Sequence, residues 1–468
     1  MGRKREAAGL RNIDWATFSL FIALSAIGWS MVYSVSYSQE AGLDFLSTSA
    51  GKQLIWMGIS AIAFAVIFAI DWKFWQTLAY PIYIVGIVLL VLVLFLGSTI
   101  KGSTSWFVFG SFSFQPSEVA KFATCLAMSN YLSNYRTNLR TLRSQLIALG
   151  LLLLPVGLIM LQPDAGSAIV FSSFLLVLYR EGLNSSYYIV GAFVALILVL
   201  GLIVEPTYII LSLIVLSIVV LAYHFEDNRR YWLLGALTVA AGTYFAAVNN
   251  WSTQALLAGA GIFVALSIVQ WMQKQGRIVS LLLVAVIVGA GLSYAANFAF
   301  NDILKPHQQD RLNVWLQPSK ADPRGSLYNV FQSKLAIGSG GLQGKGFLNG
   351  TLTKLNYVPE QSTDFIFCTI GEEQGFVGSF SIIIMFTLFL IRITIIAERQ
   401  RSNFSRHYAY CIAGIFFIHI FINVGMTMGL MPVIGIPLPF ISKGGSSLLG
   451  FTVMVAVLLK LDSNRYRI

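Results

Sequence analysis

Charge is what this sequence has least of. Only 11% of its 468 residues are Asp, Glu, Lys or Arg, where a soluble globular domain carries about a quarter. Beside 56% hydrophobic residues and a mean hydropathy of +0.74, that scarcity excludes a soluble domain with a solvated surface. Cysteine stands at three and histidine at four. Cys125, Cys368 and Cys411 are odd in number, lie in apolar runs and lack metal-site spacing, so they read as small buried hydrophobes. His307, His407 and His419 do not cluster and read as structural, and no Ser–His arrangement points to a covalent nucleophile.

Apolar runs of about 18 residues or more recur from end to end, each long enough to cross a bilayer. The expected fold is an all-α polytopic membrane protein. About fourteen spans are expected, at 15–36, 53–70, 77–97, 116–133, 144–161, 165–180, 186–204, 207–223, 231–248, 254–272, 278–299, 365–391, 407–430 and 445–460. The basic start "MGRKREAAGLRNID" is followed by no small-residue cleavage site, so the first run reads as a retained helix. Gly2 is followed by Glu6, which breaks the myristoylation pattern. With the N-terminus inside, Lys and Arg divide as about twenty inside to about eleven outside, following the positive-inside rule. The net charge of +11 then reports topology and attraction to anionic lipid, with no nucleic-acid partner implied.

Four parts follow. Residues 1–180 hold N-terminal helices and a first outer loop (97–118); 181–300 hold further hydrophobic helices; 301–363 form a large extracytoplasmic loop; 364–468 hold C-terminal helices and a prolyl re-entrant segment. A structureless loop as long as 301–363 is uncommon and often functional. Pro432, Pro437 and Pro439 break the helical pattern of the last part. At membrane depth such backbone needs protein or a wet cavity around it.

The remaining signal is charge where apolar sequence surrounds it. Glu118 and Lys121 lie three apart and share a helix face; they read as a structural ion pair or as site residues. Asp164 opens a span and reads as an N-cap or a site acid. The stretch "YVPEQSTDFIFCTIGEEQGFVG" places Glu360 and Asp364 at the mouth of a span and Glu372 and Glu373 inside it, about 12 Å further along a helix. An acid at mid-membrane costs several kcal/mol unless it faces a partner or a cavity, so these groups are expected around one outward-facing polar cavity. "GSGGLQGKG" resembles a phosphate loop only superficially. Ser339 and Gly346 stand where the pattern needs Gly and Ser/Thr, and no nucleotide is expected.

Six blocks carry a family resemblance: "FQPSEVAK" (114–121), "QPDAGSA" (162–168), "QSKLAIGSGGLQGKGFLNGT" (332–351), "VPEQSTDFIF" (358–367), "GEEQGFVG" (371–378) and "GLMPVIGIPLPFIS" with "GGSS" (429–447). Together they resemble the SEDS family of bacterial cell-wall synthesis, with "GIPLPF" and "AIGSGGLQGKG" closest in wording to its RodA branch. The resemblance implies a SEDS-type helical bundle of ten family spans plus about four extra, the extra ones falling within 186–299 and read as a structural or docking addition. It implies a peptidoglycan glycosyltransferase of the inner membrane that polymerises lipid II during elongation and shape maintenance and releases undecaprenyl pyrophosphate. A class B penicillin-binding protein is the implied partner, with membrane lipids around both. The alternatives are a lipid II flippase, a non-catalytic scaffold, or the division counterpart.

By the same resemblance Asp364 is the essential acid, expected as general base or as ligand of a divalent cation, Mg²⁺ or Mn²⁺. Gln115, Glu118, Lys121 and Asp164 carry over as substrate-side residues. Lys121 and Lys334, with Arg311 behind them, are expected to meet the pyrophosphate charge; Glu360, Ser446 and Ser447 complete the expected binding set; Glu372 and Glu373 support. Three positions depart from the family pattern. Ser105 and Ser113 stand where arginines are usual, and Lys443 where a tyrosine is usual. Lys443 and Lys101 are expected to restore the lost positive charge.

Overall fold

The computed structural model describes residues 12–37, 44–100, 102–110, 112–224, 229–249, 251–272, 276–323 and 325–466. Contacts divide the chain into two compact units, Met1–Asn184 with Ala321–Ile468, and Ser185–Lys320.

Ten helices among the described residues are long and apolar enough to cross a membrane. The first unit holds Trp15–Tyr37, Ser49–Ala69, Ala79–Leu96, Leu142–Leu161, Ile366–Glu398, Asn403–Thr427 and Gly445–Ser463; the second holds Ser185–Ile203, Pro206–His224 and Gly276–Ile303. The other segments among the about fourteen expected are helical as well: Pro116–Ser133, Arg229–Asn249 and Ser252–Met272 are helices, and the stretch 165–180 breaks into Ala165–Val170 and Ser173–Arg180.

Pro116–Ser133 falls short for an informative reason. It is polar for a membrane helix, with Ser117, Glu118, Lys121, Thr124 and Ser129, and all of these side chains are buried. Lipid-facing helices must be apolar, because an unpaired polar group in hydrocarbon costs several kcal/mol. A polar helix is tolerable where protein surrounds it. Low hydropathy here marks the middle of the bundle.

Two expectations are corrected. The loop 97–118 carries an antiparallel three-stranded sheet, Ser98–Ile100, Ser103–Phe109 and Phe112–Phe114, with Thr99 opposite Thr104 and Val108 opposite Ser113. The turns fall at Gly102 and Gly110, both at positive φ, where glycine is favoured. The all-α description therefore has this local exception. Nor is 301–363 structureless. It contains the helices Pro306–Leu316, Ser326–Ser339 and Thr351–Lys354, the first belonging to the second unit and the others to the first.

Ile366–Glu398 is interrupted at Gly375 (φ 64°, ψ −160°). The interruption exposes backbone groups that hydrocarbon cannot satisfy, and the glycine-rich loop satisfies them. Lys345 and Gly346 N–H donate to the carbonyls of Glu372 and Glu373 at 3.0 and 2.9 Å; Phe376 and Val377 N–H donate to Gly341 and Leu342 at 2.9 and 3.1 Å. A Cβ on Gly375 would sit 2.3 Å from the Gly344 nitrogen. The motif that looked like a phosphate cradle thus spends its backbone closing a broken helix.

The second unit has its own core, built on Leu211, Ile214, Ile218, Leu221, Trp232 and Val279. Gly201 lets Ser185–Ile203 approach Gly276–Phe298 at Ser293 and Ala296, the small-residue contact usual between membrane helices.

Candidate active site

Asp364 is placed by a turn and a clamp. Glu360 takes positive φ (59°), and its carbonyl accepts the N–H groups of Thr363 and Phe365 at 3.1 and 3.2 Å. The Thr363 hydroxyl closes the turn on Glu360 Oε2 at 3.0 Å. Residues 362–364 then lie along the prolyl segment that joins the last two helices. The Lys443 N–H donates to Ser362 O at 2.8 Å, and Ser442 Oγ donates to Thr363 O at 2.6 Å. Asn423 Nδ2 reaches both Asp364 O at 2.9 Å and Ile436 O at 2.6 Å. The prolyl segment is irregular and largely buried, with Ile436, Leu438, Phe440 and Ile441 almost wholly enclosed. Its register puts Gly435 (φ 76°) beside the half-buried Asp364 side chain: a Cβ there would lie 3.3 Å from Oδ2.

A second polar group meets the same stretch. Asp164 caps its short helix by accepting from Ser167 N at 3.0 Å, and takes Ser167 Oγ at 2.7 Å and Gln115 Nε2 at 2.9 Å on Oδ2. Gln115 N–H donates to Ser446 Oγ at 3.1 Å. Gly166, two residues from Asp164, packs on the carbonyls of Ile434 and Gly435. Gln115, Asp164 and Ser446 are thus joined, and Gly435 lies between their helix and Asp364.

Glu118 and Lys121 are paired at 2.8 Å, with side chains 4% and 1% exposed. Lys121 Nζ also lies 3.1 Å from His419 Nε2, and His419 Nδ1 lies 3.2 Å from Pro437 O. An ammonium can only donate and a carbonyl only accept, which assigns a neutral ring with its proton on Nδ1. Lys121 is sealed in protein, where its charge orders helices. His419 links that pair to the prolyl segment.

The other expected residues separate. Lys334 is exposed and stretches across Gly429, its Nζ 2.6 Å from where a Cβ would sit. Lys443 Nζ donates to Ser49 Oγ at 2.7 Å, while Lys101 lies outside the described residues. Ser105 is buried next to Ser103, which donates to Gln162 O at 2.6 Å. Ser113 is a strand residue, half buried. Ser447 Oγ donates to the Gly444 carbonyl at 3.2 Å. Arg311 stands on Pro306–Leu316 in the second unit. Glu372 is committed elsewhere: it accepts from Lys345 Nζ at 2.7 Å, Leu352 N at 2.9 Å and Thr353 N and Oγ1 at 2.9 and 2.7 Å. It fastens the start of Thr351–Lys354. Glu373 accepts from Ser34 Oγ.

No group of three or more His, Cys, Asp or Glu gathers among the described residues, so the protein does not build a complete cation cage here. A half-buried carboxylate supplies the oxygen donor that a hard cation takes beside phosphate and water.

Fold and site together define a multi-pass membrane protein whose acid is held at the mouth of a broken helix. The chain matches the profile of the FtsW/RodA/SpoVE family, described as cell cycle protein, over residues 14–216 and 209–467. It belongs to that family. It is 30% identical to the peptidoglycan glycosyltransferase RodA of Treponema pallidum over 461 residues, covering 97% of this chain and 98% of the relative. It is 28% identical to the peptidoglycan glycosyltransferase MrdB of Escherichia coli over 455 residues, covering 97% and 94%. Among solved structures it resembles a peptidoglycan synthase complex, described as coordinating polymerization and crosslinking (TM-score 0.63, 25% identity, 97% and 99% covered). It shares its fold with the rod shape determining protein RodA of Thermus thermophilus (TM-score 0.55, 22% identity, 97% and 98% covered).

Proposed function

We propose that this chain is a peptidoglycan glycosyltransferase of the RodA type, which polymerises lipid II into glycan strands during elongation. The observation that carries the reading is Asp364, held half buried against Gly435 by the turn at Glu360 and the Asn423 clamp. A sugar 4-hydroxyl attacks the anomeric carbon of the growing chain, and undecaprenyl pyrophosphate departs with the electron pair of the broken bond. Asp364 accepts the hydroxyl proton. A carboxylate placed at the attacking hydroxyl takes its proton as the new bond forms. The change from an α-linked donor to a β-linked product is a single displacement, so no covalent nucleophile is required.

Lys334 and Lys443 are the cations of this set that stay in reach of an incoming pyrophosphate, being exposed and half buried; counter-charge aimed at a leaving group lowers its barrier. Mg²⁺ or Mn²⁺ held by Asp364 and the pyrophosphate would add charge neutralisation. The site faces the outside of the bacterial inner membrane, where a class B penicillin-binding protein crosslinks the strands. The family match and the described complex support this assignment.

The test is lipid II polymerisation by the purified chain, with and without its transpeptidase partner, for wild type and Asp364→Asn. Long glycan strands from wild type and none from a folded Asp364→Asn are expected. No strands from wild type, even with partner and divalent cation, would move the assignment to a flippase or scaffold. Strands from both proteins would discard Asp364 as the base.

A further inference from the structure

At the far end of the helix that starts beside Asp364 lies a cavity of about 300 Å³, lined by Asn12, Asp14, Trp15, Arg392, Arg399 and Arg465 among others. From the break at Gly375 the helix runs on for 17 positions to Arg392, about 26 Å at 1.5 Å per residue, most of the hydrocarbon thickness of a bilayer. The cavity therefore belongs to the opposite membrane face.

Its charges are layered. Asp14 and Asp462 are buried, with side chains 1% and 0% exposed, while Arg392, Arg399 and Arg465 keep 31%, 28% and 18%. Asp14 accepts from Arg392 and Arg399 at 2.6 and 2.7 Å, and Asp462 accepts from Arg399 and from Arg465 Nη1. The carboxylates hold the guanidiniums from within, and the surface left open is the arginines'. A guanidinium has five N–H donors. Arg392 spends only Nη2 and Arg399 leaves Nη1 without an acceptor among the described residues. Three cations over two anions leave excess positive charge, and Trp15–Tyr37 adds the positive end of its dipole. Trp15, 61% exposed, is a residue type enriched at headgroup depth.

We propose that this arginine cavity binds the phosphate of an anionic phospholipid headgroup. A planar, pre-aligned guanidinium set suits phosphate oxygens, and the depth marked by Trp15 favours a lipid over a soluble anion. The site is separate from the Asp364 chemistry and does not depend on it.

The experiment is native mass spectrometry of the full chain released from phosphatidylglycerol/phosphatidylcholine nanodiscs, with lipid affinity read by titration. Wild type should retain phosphatidylglycerol over phosphatidylcholine. Arg392→Gln with Arg465→Gln should weaken that retention at least about tenfold, as each basic residue near a lipid surface contributes about 1 kcal/mol. Arg180→Gln, an arginine outside the cavity, should match wild type. Should the double variant fail to fold, Arg465→Gln alone keeps Arg399 and Gln400 on Asp462, and a loss of about fivefold is expected. Equal retention in wild type and variants, or no preference for phosphatidylglycerol, overturns the site. Displacement of lipid by millimolar inorganic phosphate reassigns it to a soluble anion and overturns the lipid claim.

Discussion

Asn423 reaches two carbonyls from one amide nitrogen, those of Asp364 and Ile436, and is wholly buried. Asn423→Ala orphans both, at about 1–3 kcal/mol, and frees the Asp364 backbone from the prolyl segment. We expect a lowered melting temperature and a fall in kcat larger than any change in KM, because the acid would be mispositioned while the lipid contacts remain; unchanged kcat would show that the clamp is purely structural. The sequence reading followed charge, and so found Asp164 and Asp364 but passed over this uncharged amide in "IFINVGM", though a polar residue in an apolar run is the same kind of signal. Lys121 shows the complementary limit. Its partner Glu118 was legible at three residues' distance, whereas His419, 298 positions away, was not, so the burial of Lys121 was invisible. Asp14 gives a pH prediction. Burial pushes its carboxyl up, but the Thr17 N–H and the charges of Arg392 and Arg399 outweigh it and hold the group below its ordinary 3.8. A depressed carboxyl stabilises the fold above its unfolded value and loses that contribution as pH falls through the folded one. With respect to Asp14, thermal stability should be flat from about pH 5 upward and decline below about pH 4, and Asp14→Asn should lose that acid limb.

Among the elements, the broken helix was the least legible. The run 365–391 reads as one uninterrupted span, and nothing in its hydropathy announces that Gly375 adopts φ 64°. The clue lay elsewhere, in a glycine-rich loop whose purpose was open until its N–H groups and carbonyls were found on residues 372–377. Gly375→Ala should therefore cost about 1–3 kcal/mol in backbone strain alone, with more from the 2.3 Å approach to Gly344 N. Its signature would be faster amide exchange at 341–346 together with a lower melting temperature. Gly338→Ala is the matched control: it lies within Ser326–Ser339 with nothing near its absent Cβ, and should be neutral or stabilising by up to about 1 kcal/mol. If the two variants melt alike, the loop is not what closes the break. The small sheet after Gly97 was missed because strands of three to seven residues are too short for a period to register against apolar surroundings.

For the molecule as a whole, composition alone was enough to place the chain in a membrane, because scarcity of charge is a property of every segment at once. The division into two compact units is a different kind of fact. It depends on which helices touch, and membrane helices that are apolar all round carry no stripe to say which neighbour they face. The second unit nonetheless has what independent stability requires: a contiguous core of its own, with Ile218 and Leu221 wholly buried, and helix contacts close enough to need Gly201. If that core is self-sufficient, damage to it should stay local. Leu221→Ala removes a buried side chain at about 2–5 kcal/mol. Cooperative units open separately under native conditions, so amide exchange should accelerate across Pro206–His224 and Gly276–Phe298 while Pro116–Ser133 keeps wild-type protection. Hydrogen-exchange mass spectrometry on the intact chain reads both regions in one experiment. Acceleration throughout the chain would mean that the two units unfold as one, and that the contact boundary at 184 and 320 has no energetic counterpart.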